Sequence, residues 1–192
     1  MEGEILKDLS TSHSFNQVHL FQAKPHGKIV RKQYGSLSAF KRAVEAFKFV
    51  DRSLHPSIYK IDMKHSTIYM SYDPVEQQPK STDECIANLL KKLHSSTLKY
   101  SGVWDPGTGQ RYANWKEFLQ LKGEKAVQTL GELADYSVYY EKWINAVEES
   151  AYSPVSYIHC SISPEHIGQR KGDYILLDFE HAILGDPYWD VA

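Results

Sequence analysis

The chain has 192 residues, 42% of them hydrophobic and 12% aromatic, enough for one sizeable core or for two small lobes that share a cleft. Its 22 basic and 24 acidic residues leave a formal charge of −2, so no charge excess points to nucleic acid or to an anionic membrane as a partner. Cys85 and Cys160 are the only cysteines and have no C-x-x-C spacing, which argues against a disulfide framework or a thiolate zinc site and makes a reducing cytosol the expected compartment. No stretch approaches the ~20 apolar residues of a membrane span, and the first residues carry acids without a long apolar core, so a soluble, untargeted protein is expected.

In chain order, Gln17 to Phe21 and Lys28 to Tyr34 flank the turn-forming Pro25-His26-Gly27 and predict a β-hairpin. Ser36 can cap a helix whose apolar positions Phe40, Val44, Phe47 and Val50 recur at helical spacing. Ser57 to Met63 and Ser66 to Tyr72 predict two further strands, followed by the polar, Pro-containing stretch from Asp73 to Lys80. This gives a first lobe over 1–73 and a second over 74–192. The second begins helically, with Cys85, Leu89, Leu90 and Leu93 on one face, and Trp115 to Ile144 holds one or two longer helices. Between them, Ser101 to Gln110 contains Gly102, Pro106, Gly107 and Gly109 and is expected to be an exposed loop. Short β segments return after Pro154.

Those last segments carry the chemistry. Leu176-Leu177-Asp178-Phe179-Glu180 is an apolar run ending in a carboxylate, which places Asp178 at a strand end, and a hard Mg²⁺ ion takes such an oxygen ligand. Upstream lies His159-Cys160-Ser161-Ile162-Ser163-Pro164-Glu165-His166, and downstream Gly185-Asp186-Pro187-Tyr188-Trp189-Asp190-Val191-Ala192. The ordered series resembles the aminoglycoside phosphotransferase and choline kinase-like family, with its H-G-D-x-x-x-x-N loop, D-F-E metal loop and G-D-P-x-x-D-[LV]-A segment. His159 matches the loop histidine, Cys160 the glycine, Ser161 the catalytic aspartate and His166 the metal-binding asparagine.

The resemblance implies an α+β, protein-kinase-like fold of two lobes, a small β-rich one followed by a mainly helical one. It further implies transfer of phosphate from ATP to a hydroxyl on a small molecule, with Mg²⁺ or Mn²⁺. Asp178 and His166 would hold metal, and His159 would brace the loop. Lys32, on the same strand face as Val30, would meet the α- and β-phosphates, as the lysine of a V-A-I-K strand does. Ser12 and Ser14 stand where a glycine-rich loop would cover the nucleotide, and Met70 and Tyr72 lie in the strand leading to the adenine hinge. The acid that pairs with the strand lysine falls either at Ala43, which removes it, or at Glu45, about 200° further round the helix.

Ser161 departs most from the pattern. A kinase base accepts a hydroxyl proton, and a serine cannot do so at neutral pH without an activator of its own. Three explanations stand side by side: a pseudokinase that binds nucleotide or a partner without turnover, a transferase of reduced activity that relies on positioning and metal, and a substitution introduced at this position. The family's acceptor wall is built partly by helices beyond the G-D-P segment. The chain is therefore expected to be a minimal form or a fragment truncated at its C-terminus, with the acceptor and the oligomeric state unread.

Overall fold

The structure, a computed structural model, describes residues 3–11, 14–73, 82–95, 102–130, 140–145, 155–170 and 172–191. Its first part is a five-stranded antiparallel sheet in the order β1-β2-β3-β5-β4, built from β1 (Gly3–Asp8), β2 (Gln17–Ala23), β3 (Gly27–Gln33), β4 (Ile58–Asp62) and β5 (Thr67–Ser71). The β2–β3 hairpin turns where expected, and Gly27 takes φ +76° there, a conformation that suits a residue without Cβ. Strand β1 lies outside the expected elements. It is exposed along its whole length and adds to the free edge of β2 through backbone pairing, which leaves little apolar alternation to see in its sequence.

Helix α1 (Leu37–Phe49) crosses one face of this sheet. Its first turn is closed by Ser36, whose Oγ accepts the Ala39 N–H. Phe40, Ala43 and Val44 pack against Tyr34, Ile68 and Met70, while Ala46 and Val50, one turn on, belong to a second cluster. That cluster holds Leu89, Leu90 and Leu93 of α2 (Thr82–His94) with Tyr157, Leu176 and Phe179. One helix therefore serves two cores. A fully buried side chain the size of Phe40 or Phe179 contributes ~1.5–3 kcal/mol from area alone, so α1 is held from both sides.

The second lobe joins α2 and α3 (Trp115–Leu130), with a helical stretch at 140–145, to a four-stranded sheet and a hairpin. The sheet runs β7-β6-β11-β8, from β6 (Val103–Asp105), β7 (Gln110–Tyr112), β8 (Ser156–Ile158) and β11 (Ile183–Gly185). The hairpin pairs β9 (Ile167–Arg170) with β10 (Asp173–Leu176). The architecture is the expected α+β, two-lobed one, with the β-rich part first. Among the described residues no helix is long and apolar enough to cross a membrane.

Gly102 to Gln110, the described part of the stretch expected to be an exposed loop, corrects that expectation. It forms most of the β6–β7 hairpin, and Gly102, Val103, Asp105, Pro106 and Gly107 are buried. Arg42 of α1 forks onto Asp105 through Nε at 2.8 Å and Nη2 at 2.9 Å, and the Gly107 N–H donates to the same carboxylate at 2.9 Å. A Cβ on Gly107 would stand 2.7 Å from Arg42 Nε, so this glycine allows close approach as well as a turn.

Candidate active site

The strand residues Val18, Lys32 and Ile68 lie side by side across β2, β3 and β5, on the sheet face that α1 covers. Lys32 is 7% exposed, too buried for an unpaired ammonium. Its Nζ donates to Asp178 Oδ1 at 2.6 Å and to Glu180 Oε2 at 3.1 Å, and stands 4.8 Å from the centre of the Tyr34 ring. Asn16, also buried, donates from Nδ2 to the same Glu180 oxygen at 2.5 Å, and its Oδ1 accepts the Gly35 N–H at 3.2 Å. Four side chains from three separated stretches thus close a polar network between the lobes.

Asp178 follows directly on Leu177 at the end of β10 and takes the left-handed conformation, φ +62°, ψ +66°. An aspartate tolerates this better than most residues, and the turn aims the carboxylate at Lys32 while Phe179 goes into the core. Burial alone would push the Asp178 carboxyl up, but the Lys32 ammonium and its hydrogen bond outweigh that and hold it below the ordinary carboxylate range. Asp178 is ionised at neutral pH.

The second loop is fixed from beneath. His159 Nε2 lies 2.7 Å from the Leu177 carbonyl, which can only accept, so that nitrogen carries the proton and joins the catalytic-position loop to the metal-position loop. Burial lowers the basicity of His159, which keeps the ring neutral at pH 7. Asp190, whose side chain is fully buried, accepts the His159 N–H at 2.8 Å and the Cys160 N–H at 2.7 Å, and His94 Nε2 stands 3.0 Å from it. Cys160 holds φ +63° where the resembled motif has glycine, a strain of ~1–2 kcal/mol that the Asp190 contact helps to retain. Burial pushes its thiol far above the ordinary range, so it is a neutral packing group.

Ser161 is half-buried, and its carbonyl accepts from His166 Nδ1 at 2.5 Å. With Nδ1 donating, His166 Nε2 keeps a lone pair in the neutral ring. Met70 is buried in β5 opposite Val30, and Tyr72 is exposed just beyond the strand. Gly168 of β9 lies against the chain that follows Tyr72: a Cβ there would stand 3.2 Å from the Leu177 side chain and 3.3 Å from the Asp73 carbonyl. Ser14 is exposed, and its Oγ accepts the Asn16 N–H at 3.0 Å; Ser12 lies outside the described residues.

Glu45 is the residue the structure does not bring to the site. It bonds Lys48 at 2.5 Å on α1, whereas the helix position that faces inward is the fully buried Ala43. The partner of Lys32 comes instead from the metal-position loop, as Glu180 beside Asp178. That role was visible only as a spacing, Asp178-x-Glu180, and Asn16 gave no signal beyond its place before β2. The Arg42–Asp105 pair was hidden too, because 63 residues separate its members.

For a metal, the donors suit one ion and exclude another kind of site. Among the described residues no three His, Cys, Asp or Glu side chains gather as a self-sufficient site. Mg²⁺ needs none, since it is bound by one or two carboxylates together with substrate phosphates. Asp178 would supply the carboxylate, and His166 Nε2 would be a softer donor that suits Mn²⁺ better than Mg²⁺.

A lysine held by a left-handed aspartate at a lobe junction, with a histidine bracing that turn from the neighbouring loop, defines the two-lobe, kinase-like class of fold. More particularly, the chain has the fold of the aminoglycoside phosphotransferases. It superposes on the apo form of a thermostable mutant of APH(4)-Ia with a TM-score of 0.75, at 15% identity over 99% of this chain and 71% of that one. The ADP-bound APH(2'')-Ib gives 0.67 at 17% identity, over 99% and 70%. The gentamicin complex of APH(2")-IIa gives 0.66 at 17% identity, over 97% and 69%. No family model and no curated protein matches the sequence.

Proposed function

We propose that the protein belongs to the ATP-dependent phosphotransferases that act on a hydroxyl of a small molecule, slowed by the absence of a carboxylate at Ser161. The observation that carries this reading is the Lys32–Asp178 contact of 2.6 Å, made by a lysine with few other reasons to be buried. Solved structures of similar fold are complexes with ADP, and with AMP-PNP and hygromycin B. Lys32 would meet the α- and β-phosphates, with Ser12 and Ser14 near the phosphates and Met70 and Tyr72 by the adenine. Asp178 and His166 would hold Mg²⁺ or Mn²⁺, which when bound would neutralise charge developing on the phosphates. His159 positions the loop without touching a reacting atom.

The acceptor oxygen would form a bond to the γ-phosphorus as the bond from that phosphorus to the β,γ-bridging oxygen breaks and ADP departs. The hydroxyl proton has no carboxylate at position 161 to receive it. That same fact favours a second reading, a pseudokinase that binds nucleotide or a protein partner without turnover. Calorimetric titration with ATP plus Mg²⁺ or Mn²⁺ tests what both share: binding is expected, weakened at least tenfold in Lys32→Ala, and no heat with either metal removes both. Labelled-phosphate transfer to a panel of hydroxyl compounds then separates them.

A further inference from the structure

Beside the catalytic-position loop lies a cavity of about 620 Å³, within the range of small-molecule sites. Cys160, next to Ser161, and His181, next to Glu180, line it, so it opens against both loops of the proposed active site. Its walls are largely apolar, and five aromatic side chains contribute: Trp115, Phe118, Tyr140, Trp143 and Trp189. Trp115 stacks on Phe118 at 4.8 Å and meets Trp189 edge to face at 5.6 Å, forming one continuous aromatic wall.

The charges on the described walls are a closed Arg42–Asp105 pair and one further cation, Lys122. Among the described lining residues the single carboxylate is Asp105, 1% exposed and already held by both nitrogens of Arg42 and by the Gly107 N–H. Lys122 also lines the cavity and sets its ammonium 5.3 Å from the Phe118 ring centre, taking the attraction that ring could offer a bound cation. A polycation entering here would lose water and find no free carboxylate among the described lining residues. A flat, uncharged or anionic ring gains aromatic contact and has the Lys122 ammonium on the same wall.

The missing base narrows the choice further. An aliphatic alcohol, close to water in acidity and far weaker an acid than a phenol, needs its proton taken during attack. A phenol, with a pKa of about 10 like the tyrosine side chain, is ionised to about one part in a thousand at pH 7 without help from the protein. Loss of a catalytic carboxylate costs least with such an acceptor.

Resting on the phosphotransferase reading, we propose that the aromatic cavity is the acceptor site and that its acceptor is a phenol without positive charge. The phenol gives its proton to bulk water before reaction; the phenolate oxygen then bonds to the γ-phosphorus, the bond to the β,γ-bridging oxygen breaks, and ADP leaves with that electron pair.

The test uses the full chain with 2-naphthol, 2-naphthalenemethanol and gentamicin as probes. Calorimetry is expected to show 2-naphthol binding more tightly than gentamicin, with at least tenfold loss in Ala126→Trp, which fills the cavity from an exposed position on α3, and unchanged ATP binding. In transfer assays with ATP, 2-naphthol is expected to outpace 2-naphthalenemethanol at least 100-fold, with a rate rising tenfold per pH unit below pH 9, and Ser161→Asp should shrink the preference at least tenfold by rescuing the alcohol. Tighter gentamicin binding that Ala126→Trp abolishes, naphthol binding indifferent to that substitution, or an unchanged preference in Ser161→Asp overturns the proposal. Naphthol binding by a chain that does not bind ATP overturns the acceptor role and the phosphotransferase reading together; ATP binding with a naphthol-blind cavity overturns the acceptor class alone.

Discussion

The two loops that meet at Leu177 differ in what has been kept. In the frame beneath them, Asp190 receives two backbone N–H groups and faces His94, and His159 spans to the Leu177 carbonyl. Above it, serine stands where the resembled motif has aspartate, Ala43 is buried on the inner face of α1, and Glu180 pairs with the lysine. The frame consists of buried polar contacts, where removal of one partner strands the others, while Ser161 is only half-buried and its side chain can be exchanged at less cost. In this chain the loop geometry thus rests on more buried contacts than the side chain at position 161 does.

The largest effect is expected from breaking the frame. Asp190→Ala leaves two buried N–H groups and a histidine without their acceptor and should cost ~3–5 kcal/mol. For a chain of this size that lowers the melting temperature by roughly 10 °C, measurable by calorimetry. A drop of only a degree or two would show that the frame is not what holds the loop. Next comes the side chain at position 161: Ser161→Asp should raise phosphate transfer to an aliphatic alcohol about 100-fold, the lower range for a general base, while leaving the melting temperature within two degrees or so. No gain in turnover would favour the pseudokinase reading.

Glu180 and Glu45 offer a smaller and sharper contrast. Glu180→Gln removes one of the two anions on Lys32 and loosens Asn16, so ATP affinity measured by titration should fall about tenfold, near 1.4 kcal/mol. Glu45→Gln should leave it within twofold, because Glu45 bonds Lys48 in the same helix and does not reach Lys32. Equal losses in the two variants would restore the helix acid as the partner of Lys32.

How much of this was legible depended on whether a residue's role was local. The order of motifs from His159 to Asp190 made the α+β, two-lobed fold readable, since each motif fixes a turn or strand end by itself. Ser36 and the spacing of Phe40, Val44 and Phe47 marked α1 in the same way. What escaped was carried by distant pairing. The glycines and proline of 102–109 signal a loop until Arg42 is seen to clamp Asp105, and β1 exists because β2 has an edge to fill. The aromatic cavity was invisible for the same reason, its walls coming from α3, the stretch at 140–145 and both loops.

The smallest effect compares the two interlobe ion pairs by pH. Burial tends to raise the Asp105 carboxyl, but Arg42 outweighs it, so Asp105, like Asp178 beside Lys32, sits below the ordinary carboxylate value. Each folded pKa is lower than the unfolded one, so between the two values the unfolded chain binds more protons and stability rises with pH. Both contributions are complete above an unfolded value of about 4 and are lost as pH falls through the folded values. Urea midpoints should therefore owe no change to these two carboxylates between pH 7 and 5.5 and should decline in stronger acid. Asp178→Asn should remove its share of that acid decline, so that the difference from the parent chain narrows as pH drops. ATP gives the contrast: bound phosphates compete for Lys32 and leave the Arg42–Asp105 pair untouched, so saturating nucleotide should alter the acid limb of the parent chain and leave that of Asp178→Asn nearly unmoved.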